Sequence, residues 1–219
     1  MSTTTSPTQV HCRAWQSPLA WLVLMGVLAL GLSLDLSLKY WSFAHVALVP
    51  AEFRDGQINI PRHDPIRIIP GVLNLHLVKN EGAVFGIGAN QRMFFIVFTI
   101  GALAAALLVF ARWTGRGAWL AHIAIGLILA GGLGNLYDRL RFSVVRDFMH
   151  MLPGWKLPWG WHWPGGSTEI FPWVFNVADV MLLFGMGMLM LHINRAEKRR
   201  KLDKATTSQA PQQGQPESA

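Results

Sequence analysis

Asp147 and Asp179 are the residues of this chain best suited to acid–base chemistry. Asp179 lies six residues inside an apolar run over 173–193, and Asn176 precedes it by three, a spacing that puts amide and acid on one helical face. A carboxylate within a membrane-length segment is costly and marks function or a proton path; the plainer role is a polar contact between helices. Asp147, in Val144-Val145-Arg146-Asp147-Phe148, is flanked by apolar residues where the chain leaves the preceding apolar run. Two carboxyls that approach the same interface cannot both ionise cheaply, so one keeps its proton while the other stays charged. The charged partner can deprotonate a water while the protonated one hydrogen-bonds a scissile carbonyl, which is peptide hydrolysis. A proton-coupled transporter also uses such acids, and a catalytically inactive lipid-binding relative could retain them.

Competing chemistries lack their residues. The chain has neither H-E-x-x-H nor G-x-S-x-G. His63, His76 and His122 fall at no ligand spacing, and the lone Cys12 excludes an intramolecular disulfide. No metal and no cofactor is expected. Further polar residues gather at the end of the third apolar run, Gly131-Gly132-Leu133-Gly134-Asn135-Leu136-Tyr137-Asp138-Arg139, where glycines allow close helix approach. Asn135, Asp138 and Arg139 recur at i, i+3 and i+4 and form one polar face; an Asp beside an Arg reads first as a structural ion pair. Asp35 and Lys39, at i and i+4, read as a helix-stabilising pair near the interface.

The elements that must position these residues are membrane helices. Hydrophobic residues make up 52% of the 219 residues and charged ones only 14%, well below the roughly 25% charge of a soluble domain. Four runs approach the roughly 20 residues needed to cross the hydrocarbon of a bilayer. They predict transmembrane helices over 18–38, 93–111, 117–138 and 173–193. The first has a longer apolar core than a signal peptide and no A-x-A-like cleavage site, so it reads as a retained helix. The net charge of +7 is concentrated after the fourth run, in Arg195, Lys198, Arg199, Arg200, Lys201 and Lys204. A basic cluster in that place is a cytoplasmic anchor against anionic lipid, not a nucleic-acid footprint. Arg112 and Arg116, in a short link over 112–116, agree, so both termini (1–17 and 194–219) are expected in the cytoplasm. The segments 39–92 and 139–172 then face outward. Arg139, Arg141 and Arg146 run against the charge rule there, which suggests local partners.

The first outer segment alternates polar and apolar residues over 57–60 and 73–78, with Pro61, Pro65, Pro70 and Gly71 between, as a small antiparallel sheet would. The second carries Trp155, Trp159, Trp161, Trp163 and Trp173, an interfacial belt or a loop that touches lipid or a lipidated substrate. From Ala205 the tail is rich in Gln, Ser, Thr and Pro and is expected to be disordered. The fold class is thus a membrane all-α bundle of four helices with a small antiparallel β-sheet on its outer, periplasmic side.

Five blocks of this sequence together resemble the lipoprotein signal peptidase (signal peptidase II) family of bacterial inner-membrane aspartic peptidases. Asp35 and Lys39 are similar to its Asp with Lys four residues on, and Asn80-Glu81-Gly82-Ala83-Val84-Phe85 to its N-x-G-A-x-F. Gly134-Asn135-Leu136-Tyr137-Asp138-Arg139 resembles G-N-x-x-D-R, Val145-Arg146-Asp147-Phe148 resembles V-x-D-F, and Phe175-Asn176-Val177-Ala178-Asp179 resembles F-N-x-A-D. The resemblance implies that Asp147 and Asp179 are the catalytic pair. It also implies that Asn80, Gly82, Asn135, Asp138, Arg139 and Asn176 support the site or bind substrate, with Asp35 and Lys39 structural. The implied substrates are diacylglyceryl-modified prolipoproteins, cut before the lipidated cysteine; membrane lipids are the other partners. The outer sheet would be a cradle and the Asn80 block part of a mobile lid. This chain departs from the family pattern in a longer interval between the two acids, around 154–172, in a longer outer segment including 55–70, and in Val180 where a small Ser is frequent.

Overall fold

Four long apolar helices organise the chain: α1 (Pro18–His45), α2 (Arg92–Trp113), α3 (Trp119–Phe142) and α4 (Val177–Ser208). They are seen in a computed structural model that describes residues 13–54, 57–82 and 92–208. α3 is the central helix: 67% of its most apolar stretch is buried against the other helices, compared with 17% for each of α1, α2 and α4. The outer three therefore turn their apolar side chains outward, as helices solvated by lipid do. Gly131 and Gly134 set the close approach of α3 to its neighbours. A Cβ at Gly131 would strike the backbone carbonyl of Ala178 in α4, and one at Gly134 would strike the carboxylate of Asp35 in α1.

Local signals fix the helix ends. Ser17 caps α1, its hydroxyl accepting from the Ala20 N–H at 3.3 Å, with Pro18 in the first turn. α1 runs two turns beyond the expected 18–38, because Lys39, Ser42 and Phe43 are buried beneath the outer sheet. α3 likewise continues past 138 to Phe142 and ends on Ser143 in the left-handed region (φ 67°). Its last carbonyls are capped from α2: the Arg92 guanidinium donates to Arg139 O at 2.8 Å and Leu140 O at 3.1 Å.

The expectation for the fourth helix needs correction at both ends. It starts at Val177, not at 173, because Val174–Phe175 forms a strand and Asn176 is the helix N-cap. It also continues through the basic cluster to Ser208, so residues 205–208 are helical where the composition predicts disorder. The remainder of the tail and Cys12 lie outside the described residues.

Two small antiparallel sheets cover one end of the bundle. β1 (Glu52–Arg54) and β2 (Gln57–Asn59) pair with each other. β3 (Ile66–Ile69), β4 (Leu73–Asn80), β5 (Val145–Met151) and β6 (Val174–Phe175) form the larger sheet in the order β3-β4-β5-β6. The sequence places strands only in the first outer segment, yet half of this sheet comes from the second. β5 escapes the alternation rule because its first four residues, Val145 to Phe148, are buried on both faces. Its register sets Val78 opposite Asp147 and Asn80 opposite Val145.

The tryptophan-rich stretch between β5 and β6 is an ordered excursion. Leu157 N–H donates to Thr168 O and Ile170 N–H to Trp155 O, each at 2.7 Å, and Trp163 N–H donates to Ser167 O at 2.9 Å. Trp163 also packs its ring on Trp173 at 4.8 Å, whereas Trp159 and Trp161 stand 86% and 66% exposed.

Candidate active site

Asp179 occupies the third position of α4, and its placement follows from how that helix begins. The Asp179 N–H donates to Asn176 Oδ1 at 3.1 Å, and the Asn176 N–H donates back to Asp179 Oδ2 at 3.1 Å. This reciprocal cap satisfies two backbone donors that a helix start leaves open and locks both side chains. The pair is thus N-cap and N3 rather than two residues of one helical face, which corrects the sequence expectation. The carboxylate also lies where the helix dipole favours negative charge.

Asp147 reaches the same place from β5. Its Oδ1 accepts from Asn176 Nδ2 at 2.6 Å and its Oδ2 from Asn80 Nδ2 at 2.9 Å. Asn176 Nδ2 also donates to Asn135 Oδ1 at 3.2 Å, and Asn135 Nδ2 donates to Asp179 Oδ1 at 2.8 Å. Three amides, from β4, α3 and the α4 cap, therefore tie the two acids into one network. The Asp147 carboxyl is pushed up from 3.8 to about 7, first by its burial and then by the nearby charge of Asp179; hydrogen bonds from Asn80 and Asn176 oppose the rise.

Beneath the acids lies a buried ionic layer that the sequence does not reveal. Lys39 Nζ has three donors and finds three acceptors: Asp35 Oδ2 at 2.9 Å, Asp138 Oδ2 at 3.2 Å and Asn135 Oδ1 at 3.0 Å. Asp35, Lys39 and Asp138 are all fully buried. Asp35 Oδ1 accepts from the Ala178 N–H at 3.0 Å, which joins α1 to the start of α4. Asp35 and Lys39 are therefore part of the floor of the site, more than a pair at a helix surface.

Asp138 does not pair with its neighbour Arg139. Arg146 holds it, with Nη2 at 2.8 Å and Nε at 3.1 Å on Oδ1 and the Arg146 N–H at 3.1 Å on Oδ2. Adjacent side chains of a helix point about 100° apart, so Asp138 and Arg139 face different ways, and the chain reversal at Ser143 brings Arg146 back over α3 instead. Arg139 points elsewhere: its Nη2 lies 3.4 Å from Gly82 O and its guanidinium sits 5.0 Å over the Phe95 ring. The Gly82 N–H in turn donates to Asn80 Oδ1 at 3.1 Å. Ala83, Val84 and Phe85, with the lid expected there, lie outside the described residues.

All the site residues singled out in the sequence converge at this end of the bundle. Those missed are Arg146, as the partner of Asp138, and Arg92, as the cap of α3. The signal for Arg146 was its place in a segment expected to face outward, where the charge rule disfavours cations. From Asp179, Asn135 and Arg139 a groove of about 240 Å³ runs between α2, α3 and α4, walled by apolar residues including Phe98, Leu103 and Leu182. Among the described residues no cluster of His, Cys, Asp and Glu is arranged to hold a metal ion.

The family described as Signal peptidase (SPase) II matches residues 27–195. A lipoprotein signal peptidase of Symbiobacterium thermophilum is 36% identical over 138 residues, 63% of this chain and 80% of the relative. That of Geobacter metallireducens is 34% identical over 144 residues, 64% of this chain and 80% of the relative. That of Streptococcus pyogenes serotype M1 is 30% identical over 170 residues, 78% of this chain and 91% of its own. A solved bacterial membrane enzyme shares the fold with a TM-score of 0.56 at 23% identity, over 94% of this chain and 100% of its own. A second has a TM-score of 0.55 at 25% identity, over 84% of this chain and 97% of its own. On the match over most of its length, this chain is a member of the signal peptidase II family.

Proposed function

We propose that this protein is an aspartic endopeptidase that removes signal peptides from diacylglyceryl-modified prolipoproteins, cutting before the lipidated cysteine, with Asp147 and Asp179 as its catalytic pair. The observation that carries this reading is the junction of two carboxyls, tied by shared amides, at the polar end of an apolar groove between helices. The family's curated relatives are named lipoprotein signal peptidases, which supplies the substrate class.

Asp147, raised to about 7 by its burial and by the charge of Asp179, is the member that holds a proton as the pH approaches neutrality. With Asp147 neutral, the three remaining carboxylates (Asp35, Asp138, Asp179) balance the three cations Lys39, Arg139 and Arg146. Asp179 acts as the base: it takes a proton from a water that attacks the scissile carbonyl carbon. Asp147 donates to the carbonyl oxygen as it gains negative charge. The resulting gem-diol collapses when the leaving amine nitrogen receives a proton from Asp179, the C–N bond breaks, and Asp147 recovers its proton from the new carboxyl group. Asn80, Asn135 and Asn176 keep the acids in place, and Arg139 with Gly82 borders the entrance. The signal peptide's apolar segment suits the groove past Phe98 and Leu103, whose walls are apolar.

The basic residues of the link and tail support a location in the bacterial inner membrane with the other end of the bundle, and both termini, on the cytoplasmic side. Proton-coupled transport would need a polar path across the bundle. Away from the site the described core is built of Leu24, Phe110, Ile125 and Leu129, with Thr114 and His122 as its polar members near the far end and no polar residue linking them to the acids.

The test is cleavage of a diacylglyceryl-modified prolipoprotein by purified protein in detergent. Asp147→Asn and Asp179→Asn, each shown to be folded, are run beside the unaltered chain. Near-total loss in both variants is expected. Normal cleavage by either would remove that residue from the catalytic pair.

A further inference from the structure

At the end of the bundle remote from the acids, a depression of about 900 Å³ opens between the segment preceding α1, the α2–α3 turn and the last part of α4. Three guanidinium-bearing residues line it, one from each element: Arg13, Arg112 and Arg200, with His192 beside them. Bringing three such charges to one depression is unfavourable unless an anion is shared among them. Among the described residues none of the three makes an ion pair with a carboxylate. The one acid lining the depression, Glu197, is held by Lys201 at 2.9 Å.

The depression is built by backbone contacts as well as side chains. Arg13 forms an antiparallel bridge with Gly115, and the Ala14 N–H donates to Thr114 O at 2.9 Å. These bonds clip the chain ahead of α1 onto the α2–α3 turn and fix Arg13 beside Arg112. The turn is further tied by the buried Thr114 hydroxyl, which donates to Phe110 O at 2.6 Å. The rim on the membrane side is apolar and open: Trp113 is 81% exposed and Ile193 53%.

A cationic hollow whose lip is an indole and an aliphatic side chain, at the end of membrane helices, matches one ligand chemistry. That chemistry is a phosphate carrying acyl chains: the phosphate meets the guanidiniums and the chains run along Trp113 and Ile193 into the bilayer. We propose that Arg13, Arg112 and Arg200 form a binding site for the phosphate of an anionic phospholipid drawn from the leaflet at the basic end of the bundle. This is a lipid site separate from the groove at Asp179. By joining the N-terminal segment, α2 and α4, the bound lipid braces the end of the bundle where α4 leaves the membrane.

The experiment uses the full chain in detergent, titrated with phosphatidylglycerol or with phosphatidylcholine of the same acyl chains, and reads bound lipid by native mass spectrometry. The expected result is preferential retention of phosphatidylglycerol. The triple variant Arg13→Gln/Arg112→Gln/Arg200→Gln loses that retention by about tenfold or more, from three juxtamembrane cations acting together. Arg195→Gln/Lys198→Gln/Arg199→Gln removes the same charge from α4 outside the hollow and changes retention by less than about twofold. Arg200→Gln alone gives an intermediate loss and serves if the triple variant does not fold. No preference between the two lipids, or equal loss in the two triple variants, overturns the proposal. Displacement of the lipid by inorganic phosphate at matching concentration would make the hollow a free-anion site and overturn it equally.

Discussion

Replacing Asp147 by Asn removes a carboxyl that is buried and faces the charge of Asp179, and its effect on stability must change sign with pH. In the unaltered protein the group rises from 3.8 when solvated to about 7 in the folded state. Between these values the folded chain binds more protons than the unfolded one, so stability falls as pH rises through that window. The full difference corresponds to about 4 kcal/mol. It is absent below about pH 4 and complete above about pH 7, the window set by these two values. Asp147→Asn abolishes this fall. It also turns one amide N–H toward Asn80 or Asn176, whose own Nδ2 groups already point at this side chain. One mismatched hydrogen bond costs about 1–3 kcal/mol at every pH. The variant is therefore less stable than the unaltered protein near pH 4 and more stable by about 1–3 kcal/mol near pH 8, with a crossing between. Denaturant titration of both proteins in the same detergent across this range measures the difference, and groups common to both cancel. A difference that stays constant with pH would refute the raised Asp147 and, with it, the assignment of Asp147 as the proton donor.

Lys39→Met leaves Asp35 and Asp138 buried around an apolar chain and should cost about 3–5 kcal/mol in thermal or denaturant unfolding; adding Asp35→Asn should restore part of it, since Asp138 keeps Arg146. Gly134→Ala should lower the free energy of unfolding by about 1–3 kcal/mol through its collision with the Asp35 carboxylate, despite alanine's better helix propensity. A Cβ at Gly132 comes too close only to Leu103 Cδ2, at 2.8 Å, the far end of a side chain that can rotate, so the effect of Gly132→Ala on the same measurement should be much smaller. Trp159→Ala with Trp161→Ala should raise KM for a lipidated substrate about tenfold, the equivalent of about 1.4 kcal/mol, with a smaller change in kcat. Trp163 is left in place in that test because its ring and Nε1 hold the excursion together, the latter donating to Glu169 O at 2.9 Å.

The spans were legible in the sequence because a segment in lipid must satisfy its backbone internally and present apolar side chains, so length and composition almost suffice. The acids were legible for the complementary reason: a carboxyl in such a segment is too costly to be incidental. Strand β5 was not, since a strand buried on both faces loses the alternation that marks strands with one wet face. The start of α4 was misplaced because Trp173, Val174 and Phe175 are as apolar as the helix that follows, and only pairing with β5 makes Val174 and Phe175 a strand.

The sequence by itself determined four membrane helices, an outer sheet and the set of polar residues at one end, since these follow from side-chain type and spacing along the chain. Tertiary structure alone decided the partners. Asp138 stands beside Arg139 in sequence yet binds Arg146 and Lys39, and Asn176, read as a neighbour of Asp179, also bonds Asp147 across a strand. The physical reason is that charge pairing in a buried site is set by which donors fill which acceptors at about 3 Å. That is settled by the packing of α1, α3, β4, β5 and the α4 cap together, and adjacency in the chain accounts only for the local pairs Asp35–Lys39 and Asn176–Asp179.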